Sequence, residues 1–259
     1  MPNIVLIIGS APDAIKAVDI NNTALTKIIA INNAWQVRQD WDYLIHPEDF
    51  PPENLPTSIS QNQRIITAEE YVPIQNAFGG FVYAGGTMAF TAAYWALGAL
   101  QPDILAFIGC DMIYPTTGTA THFYGTGSAD PLRDDVTLQL LEAKSARLFY
   151  LAAQQKCLCV NLSTAQESRL VFPRLKLNEF SAKDEFHYEY AFRKSEANFD
   201  EAYVSQATER ERELAYYFES GRYWEHLDNI SANELFALDR LWMKALVHPK
   251  PSNIATEIV

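Results

Sequence analysis

This 259-residue chain has few cysteines, no long apolar run and fewer basic than acidic residues. Its three cysteines are sparse and odd in number, unlike the disulfide framework of a small secreted protein, and are expected to act as small buried hydrophobes. The apolar start of the chain has no basic flank, so we expect no signal peptide and a cytoplasmic location. No apolar run reaches the roughly 18 residues of a membrane-spanning helix, so no transmembrane segment is predicted.

The chain also has few basic residues relative to its acidic ones. Lys and Arg total 20 against 32 Asp and Glu, which gives a formal net charge of −12. A protein that binds duplex nucleic acid needs a cationic face, so we expect this acidic chain not to bind nucleic acid. A nucleotide needs only a few local donors, and an acidic chain can supply those.

Several motifs that would identify a reaction are also missing from the sequence. Neither a GxxxxGK[ST] phosphate loop nor a GxGxxG turn occurs, which argues against P-loop enzymes and ordinary dinucleotide oxidoreductases. There is no GxSxG nucleophile elbow. No His and Cys cluster has zinc-ligand spacing, so no metal site is predicted.

What the sequence does contain is a series of short apolar runs that predict buried strands. Helical or irregular stretches separate them, a pattern typical of a mostly parallel sheet flanked by helices. We therefore predict an α/β, Rossmann-like fold. The runs are Ile4 to Ile8, Lys27 to Ile31, Tyr43 to Ile45, Arg64 to Thr67, Ile104 to Ile108 and Cys157 to Val160.

Helical periodicity and capping signals predict the helices. Ser231 and Glu234 fit a capping box, and Gly221 is the expected end of the helix before it. After Pro173 aromatic and charged residues become crowded. We therefore predict a nucleotide-binding domain over 1–172 and a helical appendage over 173–259, which would serve as a lid, as a homo-oligomer contact or as cover for a sheet edge. The predicted helices are Thr87 to Leu100, about Asp134 to Gln155, Gln206 to Ser220, and Ser231 to Val247.

Small or polar residues follow nearly every predicted strand. In an open parallel sheet these exits meet at one edge, where ligands bind. Gly9 and Ser10 offer backbone N–H groups to a phosphate, and glycines open the Thr87 helix, whose N-terminus attracts anions. Asn side chains offer uncharged donors and acceptors to a base or sugar, although Asn and Asp at such exits are also common turn residues. The predicted nucleotide-binding residues are Gly9, Ser10, Asn32, Asn33, Gly85, Gly86, Thr87, Asp111 and Asn161.

A long Gly- and Thr-rich loop from Thr116 to Asp130 follows the strand that ends at Asp111. Loops of this length in compact domains are usually functional. His122 in this loop could act as a general base or acid, because histidine titrates near neutral pH. Tyr114 and Tyr124 flank it and could donate to a leaving phosphate. A surface loop with an uninvolved histidine is the alternative.

The strand exits together resemble the family 42 bacterial sialyltransferases and the related archaeal-type 6-hydroxymethylpterin diphosphokinases. The resemblance covers about residues 3 to 165 and is strongest in the order of the segments. It implies sugar transfer from a cytidine monophosphate donor to a glycan acceptor without a metal or other cofactor, with a histidine base and tyrosines at the leaving phosphate. The similar segments are Gly9 to Pro12, Ile31 to Ala34, Gly85 to Gly98, Ile108 to Tyr114 and Cys159 to Ser163.

The chain departs from that family at the base. The family has a His-Ser pair before the helix where this chain has Gly127 and Ser128, and His122 stands earlier in a His-Phe-Tyr-Gly run. The Thr121-His122 pair is similar to the diphosphokinase branch. Two alternatives therefore stay open. One is Mg²⁺-dependent pyrophosphoryl transfer to a small heterocycle, and the other is a non-catalytic nucleotide- or glycan-binding module. Pyrophosphoryl transfer would use the Asp111 carboxylate together with that of Asp130, Asp134 or Asp135.

Overall fold

The computed structural model describes residues 2–21, 25–114, 120–125, 135–177 and 198–247. Its strands are β1 (Ile4–Ile8), β2 (Lys27–Ile31), β3 (Tyr43–Ile45), β4 (Arg64–Ile66), β5 (Ile104–Ile108) and β6 (Leu158–Asn161). They form one six-stranded sheet in the order β4-β3-β2-β1-β5-β6. Every pairing is parallel, which confirms the predicted α/β, Rossmann-like fold.

The helices of the described residues surround this sheet. The α-helices are α1 (Ala68–Ala77), α2 (Phe81–Ala84), α3 (Met88–Ala99), α4 (Leu141–Gln154), α5 (Glu201–Leu214) and α6 (Ala232–Ala245). Short 3₁₀ helices cover Pro12–Asp19, Asn32–Gln36, Pro52–Asn54, Val136–Leu138 and Tyr223–Asn229. None of the helices within these ranges combines the length and the hydrophobicity that crossing a bilayer requires.

Alternate side chains of β1 enter the two layers that cover the sheet. Val5 and Ile7 belong to the core formed with α3 and α4. Ile4, Leu6 and Ile8 face the other side, where the 3₁₀ helix Pro12–Asp19 packs. All five side chains are at most 2% exposed, and burying one such aliphatic side chain stabilises the fold by about 1.5–3 kcal/mol. Because β1 is buried on both faces, apolar residues occupy every position of the run and do not alternate with polar ones.

Two of the predicted helix starts are confirmed by side-chain caps. Thr87 Oγ1 accepts a hydrogen bond from the Phe90 N–H at the start of α3. Ser231 Oγ accepts from the Glu234 N–H at the start of α6. Each cap satisfies an N–H group that has no partner inside the helix.

Two other helices were predicted with wrong boundaries. Helix α5 begins at Glu201, because the Asp200 side chain caps the Ala202 N–H, and it ends where Ala215 turns left-handed with φ 50°. Gly221 therefore does not end it. Helix α4 begins at Leu141, after a separate 3₁₀ turn over Val136–Leu138, and not near Asp134, which lies outside the described residues.

Helices α5 and α6 pack on each other, α6 packs on α4, and Arg147 of α4 forms an ion pair with Glu211 of α5. Their core includes Trp242 together with Val82 and Tyr83 of α2. A buried ion pair links Lys144 of α4 to Asp239 of α6, with 2.7 Å between Nζ and Oδ1. The C-terminal segment, residues 198–247, covers helices α2 and α4, and its Leu246 also enters the core formed with α3 and α4. The division of the chain into two domains stays a prediction.

The three cysteines are unpaired and buried, as expected. Burial raises the pKa of the Cys110 thiol well above its ordinary value. A thiol held protonated in this way is a poor nucleophile, so Cys110 acts here as a small apolar side chain even though it lines the cavity described below.

Candidate functional site

A cavity of about 940 Å³ lies at the carboxyl ends of the strands. Its wall includes the exits of β1, β2 and β5, the first turn of α3, and a stretch of the C-terminal segment. In the strand order, β1 has β2 on one side and β5 on the other, so the chain reverses its direction across the sheet there. Ligands of open α/β sheets bind at such a reversal.

This cavity brings together nine of the twelve predicted site residues. The nine lining residues are Gly9, Ser10, Asn32, Asn33, Gly86, Thr87, Tyr114, His122 and Tyr124. Gly85, Asp111 and Asn161 do not line it. Three quarters of the predicted residues therefore share one cavity, and the structure explains the three exceptions.

The turn after β1 lies directly against the exit of β5. The Gly9 N–H donates to the Ile108 carbonyl at 2.8 Å, and the Ala11 N–H donates to the Gly109 carbonyl at 2.9 Å. A Cβ atom at Gly9 would lie 2.2 Å from the Gly109 carbonyl oxygen. Gly9 is therefore required by this close approach of two backbones, which places Ser10 on the cavity wall.

Asn32 and Asn33 follow β2 and open a 3₁₀ helix. Asn32 has φ 52°, in the left-handed region that Asn tolerates better than most residues. The Oδ1 atoms of both side chains are buried and have no hydrogen-bond partner among the described residues. Leaving a buried acceptor unsatisfied costs about 1–3 kcal/mol, so both atoms require a donor from a ligand or from water.

The first turn of α3 forms the opposite wall. Met88 and Ala89 line the cavity, and their N–H groups, in the first turn, have no acceptor within the helix. The Gly86 N–H donates to Thr137 Oγ1 at 3.0 Å, which ties the helix start to the residues after the long loop. Gly85 instead faces the core, where a Cβ would lie 3.0 Å from Lys144 Cγ. Its role is to turn the chain, with φ 87°.

The His122 ring lies in an aromatic cluster at the cavity. It stacks on Tyr124, with ring centroids 4.9 Å apart, and its centroid is 6.3 Å from that of Tyr114. Thr121 Oγ1 is 2.8 Å from Nδ1, and the residue is 7% exposed. Burial lowers the pKa of His122 below its ordinary 6.5, so the ring is neutral at pH 7. When Nδ1–H donates to Thr121, Nε2 keeps the lone pair that a general base needs.

The backbone around His122 is attached to the turn after β1. The Phe123 N–H donates to the Ser10 carbonyl at 3.0 Å. His122 and Gly125 also form an isolated antiparallel bridge. These bonds hold the histidine and the Ser10 turn on the same cavity.

Asp111 and Asn161 belong to a closed polar network away from the cavity, which corrects the expectation that they line it. The Asp111 carboxylate accepts from Ser163 Oγ at 2.5 Å and from Asn161 Nδ2 at 3.5 Å. Asn161 Nδ2 also donates to Ser168 Oγ at 3.1 Å. Strand β6 is one position beyond β5, at the sheet edge, so its exit lies past the reversal point. Asp111 and Asn161 are each at most 2% exposed.

Asp135 is the remaining described member of the proposed carboxylate group, and it does line the cavity. Its Oδ1 accepts from the Thr137 N–H and hydroxyl, and its Oδ2 accepts from the Tyr223 hydroxyl at 2.6 Å. Asp130 and Asp134 lie outside the described residues, as do Gly127 and Ser128. Among the residues the structure describes, no three His, Cys, Asp or Glu side chains are grouped so that they could hold a metal ion.

Several parts of the wall were not predicted from the sequence, among them residues of α1 and α2. Another is the loop after β3, which contributes Glu48 and Asp49 and reaches the cavity from the end of its strand. A further part is the stretch Ser220 to Leu227, which supplies Arg222 and Trp224 and carries no motif.

Comparison of the chain with protein-family models, curated proteins and solved structures finds no significant match.

Proposed function

We propose that the protein is a glycosyltransferase that moves a sugar from a cytidine monophosphate donor to a glycan acceptor. The observation that carries this proposal is that one cavity holds a neutral His122, the Ser10 turn, and two buried amide oxygens that lack donors. A sialyltransferase-like reaction requires these three components: a base, a phosphate contact and a contact for the nucleoside.

The unsatisfied amide oxygens favour the nucleoside end of the donor. Asn32 and Asn33 present acceptors, and a cytosine amino group or ribose hydroxyls would supply the matching donors. The phosphate would then lie toward the N–H groups of the first turn of α3, where the helix dipole favours an anion. The cavity volume of about 940 Å³ is large enough for a nucleotide sugar.

His122 would act as the general base. Its Nε2 takes the proton of the acceptor hydroxyl while that oxygen bonds to the anomeric carbon of the sugar. The bond from the anomeric carbon to the phosphate oxygen breaks, and cytidine monophosphate leaves with that electron pair. The Tyr114 and Tyr124 hydroxyls, beside the His122 ring, would donate hydrogen bonds to the departing phosphate.

The Mg²⁺-dependent alternative loses one of its named ligands. The Asp111 carboxylate is engaged with Ser163 and Asn161 outside the cavity. Asp135 lines the cavity, but both of its oxygens already accept hydrogen bonds. Glycosyl transfer is therefore the reaction that the described residues support best, and a binding module without catalysis is an outcome that the test below can reveal.

A thermal-shift panel with cytidine and adenosine nucleotides, with and without Mg²⁺, tests this proposal. At a ligand concentration of about 100 Kd, one site adds about 2.7 kcal/mol to the free energy of unfolding, which raises Tm by several degrees. We expect cytidine monophosphate to give this shift without Mg²⁺. A shift that requires ATP and Mg²⁺ would instead support pyrophosphoryl transfer. Binding of cytidine monophosphate with no turnover of a donor would indicate a binding module.

A further inference from the structure

Arg222 is the one Lys or Arg among the described residues that line the cavity. It comes from the C-terminal segment, where it precedes the 3₁₀ helix Tyr223–Asn229. The charged side chains on the same wall are otherwise acidic, namely Glu48, Asp49 and Asp135. His122 adds no positive charge at pH 7, because burial lowers its pKa. An anionic ligand in this cavity would therefore depend on Arg222 for its only cationic contact within the described wall.

Two contacts fix the backbone on either side of Arg222. Gly221 has φ 75° and packs so closely that a Cβ there would lie 3.0 Å from Phe81 and 3.2 Å from Val72. Tyr223 is held by its hydrogen bond to Asp135. The chain is therefore anchored to α1, α2 and the Asp135 turn, and the position of Arg222 at the cavity is set by packing.

The guanidinium itself is only weakly engaged. Its Nη2 is 3.4 Å from Glu48 Oε2, and its Nη1 is 3.6 Å from Glu225 Oε1. The Arg222 side chain is 48% exposed and that of Glu48 is 52% exposed. Ion pairs of this length and exposure contribute little to stability, so exchanging the partner of Arg222 costs little.

We propose that Arg222 is the phosphate-binding residue of the cavity, and that Glu48 is the internal carboxylate which a phosphate group displaces. A guanidinium binds phosphate through two parallel N–H···O bonds, a stronger contact than the exposed pair it would replace. The ligand class is a phosphate ester or pyrophosphate. The proposal rests on the proposed function for the identity of the nucleoside, but not for the phosphate contact. This proposal also gives the C-terminal segment a direct part in binding the phosphate group.

Titration calorimetry with pyrophosphate, cytidine monophosphate and cytidine tests this site on the full chain. For Arg222→Gln we expect at least about tenfold weaker binding of both phosphate compounds, and an unchanged affinity for cytidine. Glu48→Gln removes the nearer of the two carboxylates that pair with Arg222 and should tighten the binding of both phosphate compounds by about two- to fivefold. Arg210→Gln is the matched control. Arg210 pairs with Glu213 and Glu234 and does not line the cavity, so its loss should change no affinity.

The possible results separate this inference from the proposed function. If pyrophosphate binding depends on Arg222 but no cytidine compound binds, the anion site stands and the proposed donor is wrong. If cytidine monophosphate binds equally well to Arg222→Gln and the unmodified protein, the anion site is overturned and the proposed donor stands. Failure of every phosphate compound to bind the unmodified protein would overturn both.

Discussion

Replacing Lys144 with methionine is expected to lower the free energy of unfolding by about 3–5 kcal/mol. Lys144 and Asp239 are each 1% exposed, and their charged atoms are 2.7 Å apart. Methionine keeps most of the lysine volume but leaves the Asp239 carboxylate buried without its cation. Asp239 Oδ2 already lacks a hydrogen-bond partner among the described residues, so no other hydrogen bond there replaces the one from Lys144. Urea denaturation at neutral pH measures the loss.

The pH dependence of this loss has a definite sign. Burial raises the pKa of the Asp239 carboxyl above its ordinary 3.8, while Lys144 opposes that rise. An acid whose pKa is raised by folding stabilises the fold most below its unfolded pKa, and this contribution disappears as the pH rises through the folded pKa. Without Lys144 that pKa rises further. The destabilisation by Lys144→Met should therefore be smaller at about pH 5 than at about pH 8.

A double variant distinguishes the destabilisation caused by the unpaired buried charge from that caused by altered packing. Lys144→Met combined with Asp239→Leu removes both charges, and we expect it to recover most of the stability lost by Lys144→Met alone. A loss below about 1 kcal/mol for Lys144→Met, or no recovery in the double variant, would contradict the ion pair between α4 and α6.

Replacing His122 with glutamine is expected to reduce the release of cytidine monophosphate from a cytidine monophosphate sugar donor by about 10²–10⁴-fold. Glutamine can keep a hydrogen bond to Thr121 but cannot take the proton of an acceptor hydroxyl. Since burial lowers the pKa of His122, the rate for the unmodified protein should fall only when the pH drops below about 6.5. A pH profile of the initial rate measures both effects.

His226→Gln is the control for that experiment. His226 stacks on Phe218, with ring centroids 4.8 Å apart, and does not line the cavity. We expect it to leave the rate and the pH profile unchanged. If His122→Gln keeps full activity, His122 is not the base. Loss of activity together with loss of cytidine monophosphate binding would point to a binding role instead.

The strands could be predicted because their signal is local. An apolar run buried on both faces is visible without any knowledge of its partners, as Val5 and Ile4 show by entering opposite cores. Helix α1 could not be predicted in this way, because it contains Pro73, which normally interrupts a helix. The sequence predicts a helix end at Gly221, whereas in the structure its positive φ serves a close contact with Phe81.

The site was predictable where it follows from strand order and not where it depends on tertiary packing. The exits of β1 and β2 lie at the reversal point of the sheet, so Ser10 and Asn32 were correctly placed on one cavity. Asn161 also ends a strand, but the sequence does not show that β6 pairs only at the edge. Arg222 lies at the cavity because Gly221 and Tyr223 contact α1, α2 and Asp135, which are distant parts of the chain.

The most direct test of the account is calorimetric titration of cytidine monophosphate against the double variant Asn32→Gly, Asn33→Ala. Glycine tolerates the left-handed φ of 52° at position 32, so the variant should keep the backbone and lose only the two buried amides. We predict that the unmodified protein binds cytidine monophosphate without added metal, and that the variant binds it at least about tenfold more weakly. Equal affinity in the two proteins would show that the nucleotide does not bind at the part of the cavity wall that these strand exits form.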